Sequence, residues 1–400
     1  MNGRILISGA SIAGPTLAFW LARYGFRPTV VERAPRLREG GNGVDVRGQA
    51  IEVAERMGIM PRIRAAATDV MGMSFVNAAN RRVARIDMQA IRRKYASGEV
   101  EIMRGDLAAI LHDVTKDDVE YIFGDSIRTL DQDADGVTVA FEGGATRRFG
   151  LVIGADGLHS TVRDLAFGPE SRFVRYLGHY GAFANGNPAL GEDRWVTLYN
   201  EPGKAAGVYR SGNHPGAKAL LLFRSSEPLA YDYRDVGQQK RLLREAFEGV
   251  SWRVPELLTA AIADPDFYFD MLSQVRMPSW SSGRVALVGD AAHCASPVSG
   301  SGAMLGLIGA YRLAGELAAA RGDHQVAFRR YEEGHRELIE RAQSDLFLGL
   351  IAPKSRVRIW ARNAMARLPL LGVMAGLEQR LQPKTEPLPV YAAERDGALP

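Results

Sequence analysis

The sequence predicts an α/β protein: a Rossmann-like dinucleotide-binding domain that carries an inserted, mainly antiparallel β-sheet domain and ends in C-terminal helices. Three observations predict it. The N-terminus reads as strand, glycine turn, helix, strand and acid, from Arg4 through Gly9 and Gly14 to Glu32. Two later apolar runs, 151–154 and 285–288, also stop at a glycine and an aspartate, in Asp156-Gly157 and Gly289-Asp290. Between those runs, over residues 172–223, short β-prone stretches alternate with tight-turn sequences such as Asn-Gly-Asn-Pro and Glu-Pro-Gly, not with helices.

The totals suit this class. At 400 residues the chain can bury a large core and divide into two domains. Hydrophobic residues make up 46% and charged residues 24%, with a net charge of +4, so a soluble globular protein is expected. No basic run is interleaved with aromatics, which argues against nucleic acid as a partner. The one cysteine, Cys294, excludes an internal disulfide and any cysteine-rich metal site, and it fits a reducing cytoplasm. No metal is expected, and neither a signal peptide nor a transmembrane segment is legible.

In chain order, the strand at 4–8 runs into Gly9-Ala-Ser11-Ile12-Ala13-Gly14 and a helix through Ala22, then a second strand over 28–31. Gly9 permits the tight turn and Gly14 lets the helix pack closely on the strand, while Glu32 stands where a carboxylate accepts from ribose hydroxyls. Ser11 replaces the glycine that usually lets a pyrophosphate approach the backbone, and its hydroxyl can itself donate to phosphate. Arg33 either packs on adenine, meets a 2′-phosphate, or is a solvated surface residue. Residues 36–48 read as a glycine-rich loop in which Asp45 and Arg47 share a face if extended; Arg47 reaches for a phosphate or forms a surface ion pair. A helix follows over 49–57, and strands at 70–87 flank a hairpin at 77–80. Asp106 is a candidate N-cap for the helix that Arg104 opens. Strand runs at 119–123, 126–132 and 136–142 lead to the run at 151–154.

The inserted region predicts strands at 173–176, 181–184, 195–199, 207–210, 219–223 and 267–275, with helices at 237–248 and 255–263. After Gly322 helices are expected at 325–350 and 356–368, the last packed across both domains with its basic side outward, followed by an extended tail containing Pro383, Pro387 and Pro389. The division expected is 1–70, 99–171 and 276–322 for the cofactor domain, 71–98 and 172–275 for the substrate domain, and 323–400 for the C-terminal helices and tail.

GASIAG at 9–14, GADGLHSTVR at 154–163 and GDAAHCASPVSGSG at 289–302, with Arg104-x-Asp106-Leu107 between the first two, stand in a fixed order. Over residues 3–330 the chain resembles the class A FAD-dependent monooxygenases of the para-hydroxybenzoate hydroxylase fold, whose cofactor domain is of the glutathione-reductase type. Its general look is that of the tetracycline-inactivating and polyketide-tailoring members. The resemblance assigns Gly9, Ser11, Ile12, Ala13 and Gly14 to the FAD pyrophosphate, and Glu32, with Arg33, to the adenosine. It assigns Arg104 to the ribityl–phosphate region, Asp156 and Gly157 to FAD and NAD(P)H, and Gly289-Asp290 to the ribityl chain. Pro297 would line the reacting face, and Gly300, Ser301, Gly302 and Ala303 the pyrimidine edge. Gly309-Ala310 departs from the Asp-Ala common in the family.

The resemblance implies that NADPH or NADH reduces FAD and that oxygen, held as a flavin C4a-hydroperoxide, hydroxylates an aromatic or polyketide-like small molecule. The cofactor does the difficult chemistry, so no catalytic acid or base is assigned. His293 reads as cofactor-side and structural, and Cys294 as a buried small hydrophobe. His179, Tyr180, Phe183, Asn185, Tyr209, Arg210 and Phe223 are candidate substrate contacts, about half of which alternation must turn away. The alternatives are a flavin-dependent reductase or dehydrogenase on the same scaffold and a non-catalytic flavoprotein. A monomer or homodimer is expected.

Overall fold

The computed structural model describes residues 3–38, 41–90, 98–214, 216–344, 348–367 and 387–391, apart from the side chains of residues 298 and 348. Arg4–Ser8 lies inside a six-stranded sheet whose order is Ser281–Ser282, Val285–Leu287, Leu151–Gly154, Arg4–Ser8, Arg27–Glu32, Glu120–Phe123. All neighbours are parallel except the first pair. Strands covered on both faces must be apolar throughout, and Leu151–Gly154 and Val285–Leu287 are buried at every position. Ser8 pairs with Gly154 and Gly154 with Leu287. This register brings the Gly9 turn, Asp156-Gly157 and Gly289-Asp290 out side by side at one edge of the sheet, where open α/β sheets bind ligands. Helix Ala13–Arg23 packs on helix Gly302–Ala319 over that sheet, with the Trp20 and Tyr311 rings 4.9 Å apart.

The second sheet has seven strands in the order Tyr268–Val275, Val174–Gly186, Ala217–Arg224, Lys204–Arg210, Trp195–Glu201, Gly72–Val76, Arg82–Asp87. It is antiparallel except where Trp195–Glu201 meets Gly72–Val76. One face packs on helices Val236–Ala246 and Val254–Ala263 through Tyr180, Ala182, Ala206, Val208, Leu221 and Phe223. A three-stranded sheet, Ile127–Gln132, Val137–Phe141 and Thr146–Phe149, stands apart.

Several expectations are corrected. The loop expected over 36–48 contains strand Gly43–Val46, which pairs antiparallel with Val100–Met103; its glycines hid a two-stranded ribbon whose partner lies over fifty residues away. Asp106 sits inside the first turn of Arg104–Asp113, and the N-cap is Met103. The runs at 173–176 and 181–184 are one bulged strand, Val174–Gly186. The helix expected over 325–350 is described as His324–Ser344 and Leu348–Ile351; residues 345–347 lie outside the described residues, as do Leu368 and Pro383.

Helix Arg356–Arg367 turns Arg356, Arg358 and Arg367 outward as expected, with one exception. Arg362 is buried, its guanidinium 4.0 Å over the Phe75 ring and donating to the Leu350 carbonyl at 2.9 Å, whereas Val357 and Trp360 are 73% and 71% exposed. An arginine stem covers the apolar sheet edge better than solvent does, and its head still finds an acceptor. Residues 387–391 lie against helix Gly302–Ala319: Tyr311 Oη donates to the Pro389 carbonyl at 2.6 Å, and the Tyr391 ring fills the space left by Gly315. No described helix is long and apolar enough to cross a membrane.

Candidate active site

The N-terminal turn is built to meet an anion. Gly9 has φ 108°, and a Cβ there would fall on the Ala155 carbonyl; a Cβ on Gly14 would overlap the Gly9 carbonyl oxygen. Helix Ala13–Arg23 starts without a side-chain cap at Ile12, which leaves its first N–H groups for a ligand. Glu32 accepts the Ala10 and Ala34 amides, each at 2.9 Å, so its carboxylate is held across the turn with lone pairs left for ribose hydroxyls. Arg104 Nη2 donates to Ser11 Oγ at 2.8 Å, and the Arg104 amide donates to the Asn42 carbonyl at 3.0 Å. Arg33 is exposed.

Asp156 accepts from Ser8 Oγ at 3.3 Å, from Ser160 Oγ, and from the Val162 amide at 3.1 Å. Burial raises its carboxyl above the usual range, and these donors draw it back. Asp156 therefore ties two strands to the start of helix Thr161–Phe167, while Gly157, at φ 82°, forms the turn beside it. Arg163 is fully buried, donates to the Ala291 carbonyl at 3.0 Å and pairs with Glu170 at 3.2 Å.

Gly289 turns at φ 64° against Ala13. Solvent reaches Asp290 although it lies deep in the protein, the mark of a cleft floor. Its surroundings raise its carboxyl, and the Arg104 charge lowers it. Ser296 adopts φ 103°, a left-handed conformation that costs a non-glycine residue about 1–3 kcal/mol. Pro297, exposed, opens the turn Pro297–Ser299, and Gly300 follows at φ 64° with its Cβ position 3.3 Å from Asp45 Oδ2. The Arg47 guanidinium lies on this loop, donating to Ser301 Oγ at 2.8 Å and the Ser299 carbonyl at 3.4 Å. Helix Gly302–Ala319 again begins without a side-chain cap; Gly302 is exposed and Ala303 buried. Two uncapped helix starts, a carboxylate at each end and glycines where a Cβ would collide fit the diphosphate, ribityl chain and ring of FAD.

The candidate substrate residues divide between the two faces of the seven-stranded sheet. Phe183 and Tyr209 lie on the face away from the two covering helices; the Phe183 ring is 6.2 Å from Tyr268, and Tyr209 Oη donates to Glu101 at 2.9 Å. Phe223 and Tyr180 lie on the covered face, where Phe223 meets Phe247. His179 is buried beside the Leu177 carbonyl at 3.0 Å. Asn185 bonds Asp264, and Arg210 holds Asp193 at 3.1 Å and the Gly191 carbonyl at 3.0 Å.

Sequence reasoning did not single out the polar network at the seam between the sheets. His159 contacts Glu170 through Nδ1 and Asp270 through Nε2, each at 3.0 Å, and stacks on Tyr233. Tyr231 Oη and Tyr268 Oη also donate to Asp270, at 3.0 and 3.1 Å. Burial alone would lower the His159 pKa, but the two carboxylates raise it to about 9. The one sequence signal was an aspartate inside an otherwise mostly apolar strand. His293 is instead a core residue, pushed by burial down to about 3 and grouped with Trp280, Tyr331 and His335. Cys294 is buried, with Sγ 3.7 Å from the Ser273 carbonyl. At Gly309 the missing side chain leaves room for His335, whose Nε2 lies 3.1 Å from the Cβ position.

Fold and site together define a flavoprotein of the FAD-binding class, and the chain matches the FAD binding domain family over residues 3–204 and 258–342. It is 44% identical to the uncharacterized protein Rv1260 of Mycobacterium tuberculosis over 85% of this chain and 91% of that one. It is 38% identical to a flavin-dependent monooxygenase of Legionella longbeachae, over 86% and 87%. The crystal structure of tetracycline destructase Tet(55) superposes with TM-score 0.80 at 37% identity, covering 97% of this chain and 98% of that one; Tet(51) gives 0.80 at 35%, covering 94% and 98%. The chain belongs to the class A FAD-dependent monooxygenases.

Proposed function

We propose that this monooxygenase uses NADPH or NADH and molecular oxygen to insert one oxygen atom into an aromatic or polyketide-like small molecule. The observation that carries the reading is the register that gathers three glycine–acid motifs at one sheet edge. The chemistry that FAD would supply when bound is acceptance of reducing equivalents from NAD(P)H and activation of oxygen.

The chain's own residues bind, orient and exclude water. Gly9, Ser11, Ile12, Ala13 and Gly14 would hold the diphosphate, Glu32 the ribose, Arg33 the adenine side, Arg104 the ribityl–phosphate region and Asp290 the ribityl chain. Asp156 and Gly157 would keep the cleft edge on which NAD(P)H docks. The backbone from Gly300 through Ala303, at an uncapped helix start, would face the pyrimidine edge and favour negative charge there. Arg47 would act by fixing that loop, and Pro297 would close the reacting face against water. Phe183, Tyr209 and Tyr268, on the sheet face away from the two helices, would form the substrate wall, an aromatic surface with few polar groups. The relatives named as tetracycline destructases make tetracycline the first compound to try.

The test is direct. Purified protein should carry or take up FAD, and members of a panel of tetracyclines, phenols and indoles should speed NADPH oxidation, with product mass raised by one oxygen. NADPH oxidation that consumes no oxygen would replace this reading with a reductase. A flavin reduced no faster across the whole panel would leave a small-molecule binder.

A further inference from the structure

Ser11 occupies the place of the glycine that normally brings a pyrophosphate against bare backbone, and a hydroxymethyl group there should hold the anion off. The structure pairs that departure with a second residue. Arg104, 93 positions away, donates from Nη2 to Ser11 Oγ at 2.8 Å. Its backbone is held independently by the amide donating to Asn42, and Gly41 leaves room for its side chain, since a Cβ there would fall 3.2 Å from Arg104 Cβ. Arg104 is exposed at the cleft and within electrostatic reach of Asp290. A hydroxyl that accepts from a cation is a stronger donor through its own proton, and no described residue accepts that proton from Ser11.

We infer that Ser11 and Arg104 act as one diphosphate clamp: Arg104 polarises and orients the Ser11 hydroxyl, which donates to a phosphate oxygen that Arg104 also meets, in place of the missing glycine's bare backbone. The serine is then a positioning residue, coupled to Arg104, and restoring glycine harms the site. The inference rests on the FAD reading above and deepens it.

The experiment is FAD titration of the apoprotein, followed by quenching of flavin fluorescence, for wild type, Ser11→Gly, Ser11→Ala, Arg104→Gln and Ser11→Gly/Arg104→Gln. Ser11→Gly and Ser11→Ala should each weaken FAD binding by about tenfold, the scale of one charge-assisted hydrogen bond. The double variant should bind within about twofold of Arg104→Gln alone, since the serine works only through the arginine. Apoprotein circular dichroism and melting should coincide across the set, which separates a lost clamp from a lost fold. Ser11→Gly binding FAD as tightly as wild type, or tighter, overturns the clamp while leaving the cofactor reading intact. Additive losses in the double variant overturn the coupling. Failure of wild type to bind FAD removes the cofactor reading and the clamp together.

Discussion

Gly14 shows how single residues set the cofactor edge. It sits at a helical φ, where alanine would favour the helix by about 1 kcal/mol. A Cβ there would overlap the Gly9 carbonyl oxygen, however, and backbone cannot swing aside as a side chain can. Overpacking of this kind costs about 1–3 kcal/mol or more, so the collision wins. Gly14→Ala should lower the melting temperature by several degrees and abolish FAD uptake, read by absorbance of the purified protein; unchanged uptake would show that the turn can open. Both glycines were legible in the sequence because their role is local. The pairing of Ser11 with Arg104 was not, since nothing in a hexapeptide shows which helix start will lie against it.

Among elements, the C-terminal helix Arg356–Arg367 departs furthest from expectation. Arg356, Arg358 and Arg367 form the expected basic outer face, yet Arg362 is sandwiched between the Phe75 ring and the Leu350 carbonyl, and burial lowers its pKa to about 10. A buried cation over an aromatic ring with a carbonyl partner contributes about 2 kcal/mol. Arg362→Leu should therefore loosen the helix from the seven-stranded sheet by about that amount, and trypsin should cut faster at Arg356 and Arg358 in the folded protein. Equal cleavage rates in variant and wild type would show that Ala366 and its neighbours hold the helix alone. Helix periodicity could not assign the inner face here, because apolar and basic residues are mixed around the cylinder and the sheet edge chose between them.

Across the whole molecule, the seam between the two sheets is held by Arg163, Glu170, His159 and Asp270. With His159 near 9 in the folded protein and about 6.5 unfolded, its contribution is complete below about pH 6.5 and is lost as pH rises through 9, up to about 3 kcal/mol. Wild type should thus exceed His159→Gln in urea resistance at pH 6, with the gap closing by pH 10. A gap independent of pH would show that the imidazole bonds as a neutral group. The fold class, the order of the three motifs and most strands of the cofactor sheet were readable in the chain itself. Apolar runs, glycines at special φ and terminal acids are encoded within a few residues and need no partner to be recognised. Only tertiary structure decided which side chains face the cleft. The pairing of Val174–Gly186 with its neighbours puts Phe183 on the face away from the two helices and Tyr180, like Tyr176, on the covered one. It also decided that His159 meets Asp270 and that Ser11 meets Arg104. The Ser11–Arg104 and His159–Asp270 contacts join residues more than 90 positions apart, a separation at which local sequence carries no record of its partner.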